Sequence, residues 1–178
     1  MSNGGSDSGG HGTTNDPLKT VTYAASLLRA GEEVRLFPGT YTTNSGETFP
    51  LQPGGVRIVG YDPAGSWGPD NHVIHGHGRA VNLFKFYQIP ASVTGYVANV
   101  TLSNVTQTTV FLDASRAVIS NCTVRDTACS GLPVAAHLCN NSRLTALDSR
   151  FLNLNGKGTI GQEWNTVANN DNNFWATN

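Results

Sequence analysis

Val97-Ala98-Asn99-Val100-Thr101-Leu102, Ile119-Ser120-Asn121-Cys122-Thr123-Val124, Ala146-Leu147-Asp148-Ser149-Arg150-Phe151 and Val167-Ala168-Asn169-Asn170-Asp171-Asn172 align without gaps. Their third position is Asn, Asn, Asp and Asn, at separations of 22, 27 and 21 residues (121−99, 148−121, 169−148). Self-similarity at periods above ~20 residues marks a solenoid. Each unit has apolar residues on both sides of one polar pivot, the pattern of two short strands meeting at a sharp bend. Asn and Asp tolerate the left-handed conformation such a bend needs, and an Asn amide can bond its counterpart one coil away. Asn99, Asn121, Asp148 and Asn169 are therefore expected to form a structural ladder. A third strand is marked by Leu112, Leu138 and Ile160, which precede their pivots by 9, 10 and 9 residues (121−112, 148−138, 169−160). An antiparallel sandwich would instead turn every ~8–12 residues.

Working outward, residues 1–16 are rich in Gly, Ser and Asn and read as an N-terminal arm. Asp16-Pro17 suits the N-cap and first position of a helix. Leu18, Val21, Ala25 and Leu28 give it one apolar stripe, and Ala30-Gly31 supplies a stop. That helix should seal the open end of the first coil and blunt its strand edges. From Val34 onward, short runs (Val34–Phe37, Val56–Val59, Val73–His75, Val81–Phe86) alternate with Pro/Gly/Asn turns. Asn170 and Asn172 occupy core positions of the last repeat, so the regular coils are expected to stop there, with Trp175 covering the end. The expected fold is all-β: a right-handed parallel β-helix of about six to seven short coils, with a capping α-helix, residues 17–178 forming one domain.

Composition narrows the class of partner. The 178 residues carry a net charge of −1 and only 13% charged side chains, which gives no footprint for nucleic acid or an anionic membrane. No run nears the ~18 apolar residues of a membrane span. The Gly- and hydroxyl-rich composition suits an extracellular or cell-surface protein. The N-terminus has neither the basic nor the apolar region of a signal peptide, so export would need a leader outside this chain or another route. Cys122, Cys129 and Cys139 are an odd set. Cys122 is expected in the core, and Cys129 and Cys139 outside it, where they could pair. Four N-x-S/T sequons begin at Asn99, Asn104, Asn121 and Asn140.

The N-terminal half carries a resemblance. Gly5-Ser6-Asp7-Ser8, Gly12-Thr13, Asp16-Pro17-Leu18-Lys19-Thr20-Val21 and Ala24-Ala25 are followed by Gly31-Glu32-Glu33-Val34-Arg35-Leu36-Phe37-Pro38-Gly39-Thr40-Tyr41. Then come Gly46-Glu47-Thr48-Phe49-Pro50-Leu51 and Gly55-Val56-Arg57-Ile58-Val59-Gly60. Over about residues 5–125 this resembles a domain of unknown function that begins right-handed β-helices of the pectin-lyase-like superfamily. The resemblance implies the fold and no single reaction, because that superfamily includes lyases, hydrolases, epimerases, adhesins and proteins with no known activity. Locally, Pro38-Gly39-Thr40-Tyr41 reads as a turn, and Asp7 as a cap for nearby backbone N–H groups in preference to a cation ligand.

Candidate sites follow from the chemistries the superfamily contains. Gly76-His77-Gly78 matches a short motif of polygalacturonase-type hydrolases, but the acidic motifs that accompany it are missing in that order. Glycoside hydrolysis requires two flanking carboxylates. His72, His75 and His77 could put two imidazoles on one strand face, short of the third ligand zinc needs, so no metal site is expected. Lyase chemistry would need a cation, with Ca²⁺ the one possible cofactor, and a Lys or Arg base. The catalytic candidates beside the sheet of Leu112 and Leu138 are Asp113, Arg125, Asp126, His137, Lys157 and Glu163. Tyr61, Trp67 and Phe111 are candidates for stacking on a sugar ring. The expectation is a secreted or surface β-helix that binds polysaccharide weakly and lacks efficient catalysis. Its rivals are a lyase acting on a uronate polymer and a purely structural module or fragment of a longer β-helix. Self-association through the C-terminal end is expected if the last coil is uncovered.

Overall fold

The computed structural model describes residues 2, 4–9, 11–65, 68–79, 81–129 and 135–156, and the backbone of 160–162 and 173–177. The first strands are β1 (Glu33–Leu36), β2 (Gly39–Tyr41), β3 (Arg57–Gly60), β4 (His72–Arg79) and β5 (Phe84–Tyr87). There follow β6 (Gly95–Ala98), β7 (Thr101–Val105), β8 (Val110–Asp113), β9 (Arg116–Ser120) and β10 (Thr123–Ala128). The last are β11 (Ala136–Cys139), β12 (Arg143–Leu147), β13 (Arg150–Asn155), β14 (Ile160–Gln162) and β15 (Asn173–Thr177). They stack into three parallel sheets, ordered β1-β3-β6-β9-β12-β15, β13-β10-β7-β4-β2 and β14-β11-β8-β5. The result is a parallel β-solenoid of about four turns.

Six to seven coils were expected. The difference comes from connections that consume chain without adding a turn. Residues 61–71 separate β3 from β4, and residues 88–94 separate β5 from β6.

Each sheet contributes an inward row. Val34, Ile58, Val97, Ile119 and Ala146 stack in register in the six-stranded sheet. Tyr41, Ile74, Leu102, Val124 and Phe151 do so in the five-stranded one. Phe86, Leu112 and Leu138 do so in the third. Ile58, Val97, Ile74, Leu102, Phe86, Leu112 and Leu138 are fully buried. Each large aliphatic removed from water this way stabilises the fold by roughly 1.5–3 kcal/mol.

The expected ladder forms at the corner between the first two sheets. Asn99, Asn121 and Asp148 take φ of 57°, 47° and 48°, and the Asn121 side-chain amide donates to Asn99 Oδ1 at 2.9 Å. Asn169 lies outside the described residues. Register places Ala176 and Thr177 opposite Ala146 and Leu147, so the sequence alignment of Val167 and Ala168 with that pair is displaced. The coils do not stop at residue 170: Phe174 and Trp175 belong to β15, which extends the six-stranded sheet instead of closing it. In the third sheet Leu138 faces Gln162, and Ile160 faces Ala136, a two-residue slip from the expected Leu138–Ile160 match.

Two further corners repeat the device. Asn104, Asp126 and Asn153 have φ of 56°, 53° and 50°, and Gln88, Ala114 and Asn140 have 49°, 46° and 53°. Asn153 Nδ2 donates to Asp126 Oδ1 at 2.9 Å, and Asn140 Nδ2 to Asp113 Oδ1 at 2.6 Å. Beside the third corner the Ile89 N–H donates to Ser115 Oγ and the Ser115 N–H to Ser142 Oγ, at 3.1 and 3.2 Å. All four sequon asparagines are corner residues with positive φ, so the corner geometry accounts for their recurrence.

The capping helix α1 is Val21–Leu27, with Thr20 as its N-cap, later and shorter than the Asp16–Gly31 expectation. The start moves because Asp7 Oδ1 accepts the Lys19 and Thr20 N–H groups at 2.8 and 3.0 Å, fixing that segment as a turn. Asp7 Oδ2 accepts the Thr20 hydroxyl at 2.6 Å, so Asp7 caps as expected. Asp16 instead pairs with His11. Glu47 Oε1 accepts the Val21 N–H at 2.7 Å, and Oε2 the Thr22 N–H at 3.0 Å, completing the first turn of the helix. Gly39–Tyr41 is strand and not turn. All three cysteines are buried. Cys122 lies in the core cluster as expected; Cys129 and Cys139 are outside that cluster, as expected, yet covered, at 4% and 9% exposure. Cys139 faces Asp113 in the β8–β11 ladder, and its thiol donates to the Leu112 carbonyl.

Candidate functional site

A groove of about 600 Å³ runs between the arm, α1 and β1. Its walls include His11, Thr13, Thr14, Leu27, Leu28, Glu33, Arg35, Phe37 and Tyr61. Among the described residues β1 is an edge strand, paired with β3. Phe37 and Tyr61 meet at 6.1 Å between ring centroids, tilted by 35°. The Arg35 guanidinium lies 5.1 Å from the Tyr61 ring centroid while its Nε donates to Glu33 Oε1 at 2.9 Å. That carboxylate raises the Arg35 pKa. The sequence candidate Tyr61 thus sits beside Phe37 and one ion pair. Phe37, whose neighbours in sequence suggested only a strand end, was missed. Its contact with Tyr61 depends on the coil bringing the residue after β1 beside the residue after β3.

A second surface lies on the sheet of β5, β8, β11 and β14. Register lines up Lys85, Phe111 and His137 across it, with Tyr87, Asp113 and Cys139 in the next row. Lys85 Nζ is 4.9 Å from the Tyr87 ring centroid and 5.9 Å from that of Phe111. Phe111 meets the His137 ring edge-on at 5.5 Å. Asp113 is held by Asn140. The candidates Phe111, Asp113 and His137 therefore do share a face, while Lys157, Glu163 and Trp67 lie outside the described residues.

Arg125 and Asp126 are not on that face. They lie on β10 of the five-stranded sheet, where register sets His75, Ser103, Arg125 and Leu152 in one outward row. Residues 123–128 enter the sheet directly after the Asn121 corner, so counting along the sequence from the Leu112 strand put them one sheet too early. Around them the fold gathers His75, His77, Asn104 and Asn153. The His75 and His77 rings meet edge-on at 4.8 Å. The His77 N–H donates to His75 Nδ1 at 3.2 Å, and His75 Nε2 is 3.1 Å from the Asn104 amide. Burial, then the charges of His77 and Arg125, hold the His75 pKa below its ordinary value, with Asp126 acting in the opposite sense. Among the described residues, no three His, Cys, Asp or Glu side chains converge on a common centre.

The family profile described as "Protein of unknown function (DUF1565)" matches residues 3–175. None of the curated proteins or solved structures compared with the chain matches it.

Proposed function

The chain belongs to the DUF1565 family of proteins of unknown function, and on that premise we propose that it is a surface-displayed β-solenoid that binds glycans weakly and has no efficient catalysis of its own. The observation that carries this reading is the groove beside Tyr61. It is concave, aromatic on one side, and lined by Thr13, Thr14 and the β1 residues Glu33, Val34 and Arg35. A pyranose has an apolar face suited to an aromatic ring and a rim of hydroxyls suited to polar side chains. A site that buries one or two sugar rings with so few charged contacts supports dissociation constants of about 1 mM, or roughly −4 kcal/mol.

The pectin-lyase-like resemblance supports an extracellular setting for such binding. A lyase would need cation, acid and base converging within a few ångströms. Asp113 and Asp126 stand on different sheets.

The test is titration of the ¹⁵N-labelled protein with a panel of neutral and acidic oligosaccharides, read by amide shifts and by product release. Shifts confined to residues around Tyr61, weakened severalfold by Tyr61→Ala and by Phe37→Ala, are expected. Binding indifferent to both substitutions would overturn the reading. Robust turnover abolished by Asp113→Ala or Asp126→Ala would replace it with the lyase.

A further inference from the structure

The segment Gly76-His77-Gly78 interrupts an otherwise regular ladder. β4 pairs with β7 through His75↔Ser103 and resumes at Arg79↔Val105, so three residues of β4 stand opposite one of β7. This bulge is built deliberately in the sequence. A Cβ at Gly76 would lie 2.2 Å from Val105 Cγ1 and 2.7 Å from the Asn104 carbonyl oxygen. Gly78 has φ of 67°, and His77 between them takes φ of 57°, a conformation that costs a non-glycine residue of this kind about 1–2 kcal/mol. The outcome is an exposed imidazole pushed out of the sheet beside His75. Bulges that re-aim a side chain in this way are over-represented at functional sites.

Arg125 supplies the second half. It occupies the same outward row as His75 with the small Ser103 between them, roughly two strand spacings or about 10 Å across, a gap its long side chain reaches into. Its Nε is buried without a hydrogen-bond partner among the described residues. Its nearest acid, Asp126, is 3.7 Å from Nη1, beyond hydrogen-bond length, and Asp126 Oδ1 is already taken by Asn153. The guanidinium is carried on a half-exposed side chain in the row of the imidazole pair, and its planar fork matches the geometry of an oxyanion.

We propose that His77 and Arg125 form a binding site for a sulfate-type oxyanion, distinct from the groove at Tyr61. Arg125 contributes a fixed charge and N–H donors, and His77 adds a ring N–H. His75 lies beside His77, and Asp126, 3.7 Å from Arg125 Nη1, opposes the anion.

Inorganic sulfate and a sulfated dextran oligomer, with unsulfated dextran as control, would be titrated into wild type, Arg125→Gln and His77→Asn. Asn tolerates the left-handed backbone, so His77→Asn preserves the bulge, and circular dichroism checks both folds. The expected result is saturable sulfate binding to the wild type. Arg125→Gln should weaken it about tenfold, and His77→Asn severalfold. Tighter binding of the sulfated oligomer than of free sulfate identifies a glycan-borne anion as the ligand; equal affinity identifies the free ion. Absence of sulfate binding, or binding unchanged in Arg125→Gln, overturns the proposal. Tyr61→Ala should leave these titrations unchanged, which separates a failure here from a failure of the groove.

Discussion

Replacing Asn121 tests the corner mechanism directly. In Asn121→Ala two losses combine. An alanine at φ of 47° pays about 1–2 kcal/mol for the left-handed backbone, a conformation Asn visits far more readily. The amide that donates to Asn99 Oδ1 at 2.9 Å also disappears, and a typical net hydrogen bond is worth ~0.5–1.5 kcal/mol. Both residues are only half-buried, so water replaces part of the second loss. The expected cost is about 2 kcal/mol, a fall in Tm of roughly 4–8 °C for a chain of this size. Asn121→Gly keeps the backbone freedom but not the bond, and should cost about 1 kcal/mol. Asn121→Leu should resemble or exceed alanine. Urea denaturation of the three variants, with hydrogen exchange of the Asn121 amide that donates to the Leu147 carbonyl at 2.9 Å, reads both effects. Equal stability of the glycine and alanine variants would show that left-handed strain plays no part, and the ladder argument would fail.

The pH profile should combine two opposite terms near the helix cap. Burial, offset in part by three hydrogen bonds, raises Glu47 above 4.5, so its contribution is fully present below its unfolded pKa and lost as pH climbs through its folded value. Burial also pushes Asp7 up, but the Thr20 hydroxyl and two backbone amides prevail and hold it below 3.8; its contribution is present above the unfolded pKa and lost as pH falls through the folded one. Urea midpoints should therefore rise slightly as pH falls toward the ordinary glutamate range and drop in stronger acid, with Asp7→Asn removing the drop and Glu47→Gln the rise; a profile unmoved by both would contradict these assignments. Leu102→Ala, in the middle of a fully buried row, should cost about 2–5 kcal/mol in the same assay. Native protein should resist thiol reagents until unfolded, because burial pushes the Cys122 pKa up to about 11 and covers Cys129 and Cys139; rapid labelling before denaturation would argue against that packing.

The corner at Asn99, Asn121 and Asp148 was legible because one residue type recurs there at a fixed place between apolar neighbours. The second corner carried an equal signal: Asn104, Asp126 and Asn153 repeat the same separations of 22 and 27 residues, yet the alternation of Asn with Asp hid it. The third, Gln88, Ala114 and Asn140, has no common side-chain chemistry, and only the backbone reveals it. Helix onset was misplaced because Asp16 and Pro17 satisfy local capping rules, while the deciding contact comes from Asp7, 12 residues before Lys19. The same limit applies to the sites. Phe111 and His137 were rightly grouped, since consecutive coils repeat their position. Arg125 was assigned to the wrong sheet, because sheet membership depends on where each corner falls and not on distance along the chain.

Regularity itself indicates where function lies in this fold. Coils that repeat with the same inward row and the same left-handed corner solve a stability problem, and one such coil is chemically much like the next. The turn made by β3, β4 and β5 departs from that pattern most. It holds the 61–71 connection beginning at Tyr61 and the bulge at Gly76–Gly78, with His77 between its glycines. Each departure gives up ladder bonds that a plain coil keeps. Both candidate sites draw on this turn, the groove through Tyr61 and the oxyanion site through His77, with Phe37 and Arg125 contributed by its neighbours. Shortening the bulge by deleting Gly76 and His77 together would bring the β4–β7 count to one residue against one. If the bulge exists only for binding, that deletion should leave the fold intact or stabilise it while abolishing sulfate binding. Loss of the fold on deletion, with His77→Asn binding sulfate as the wild type does, would instead make the bulge a structural element of the solenoid.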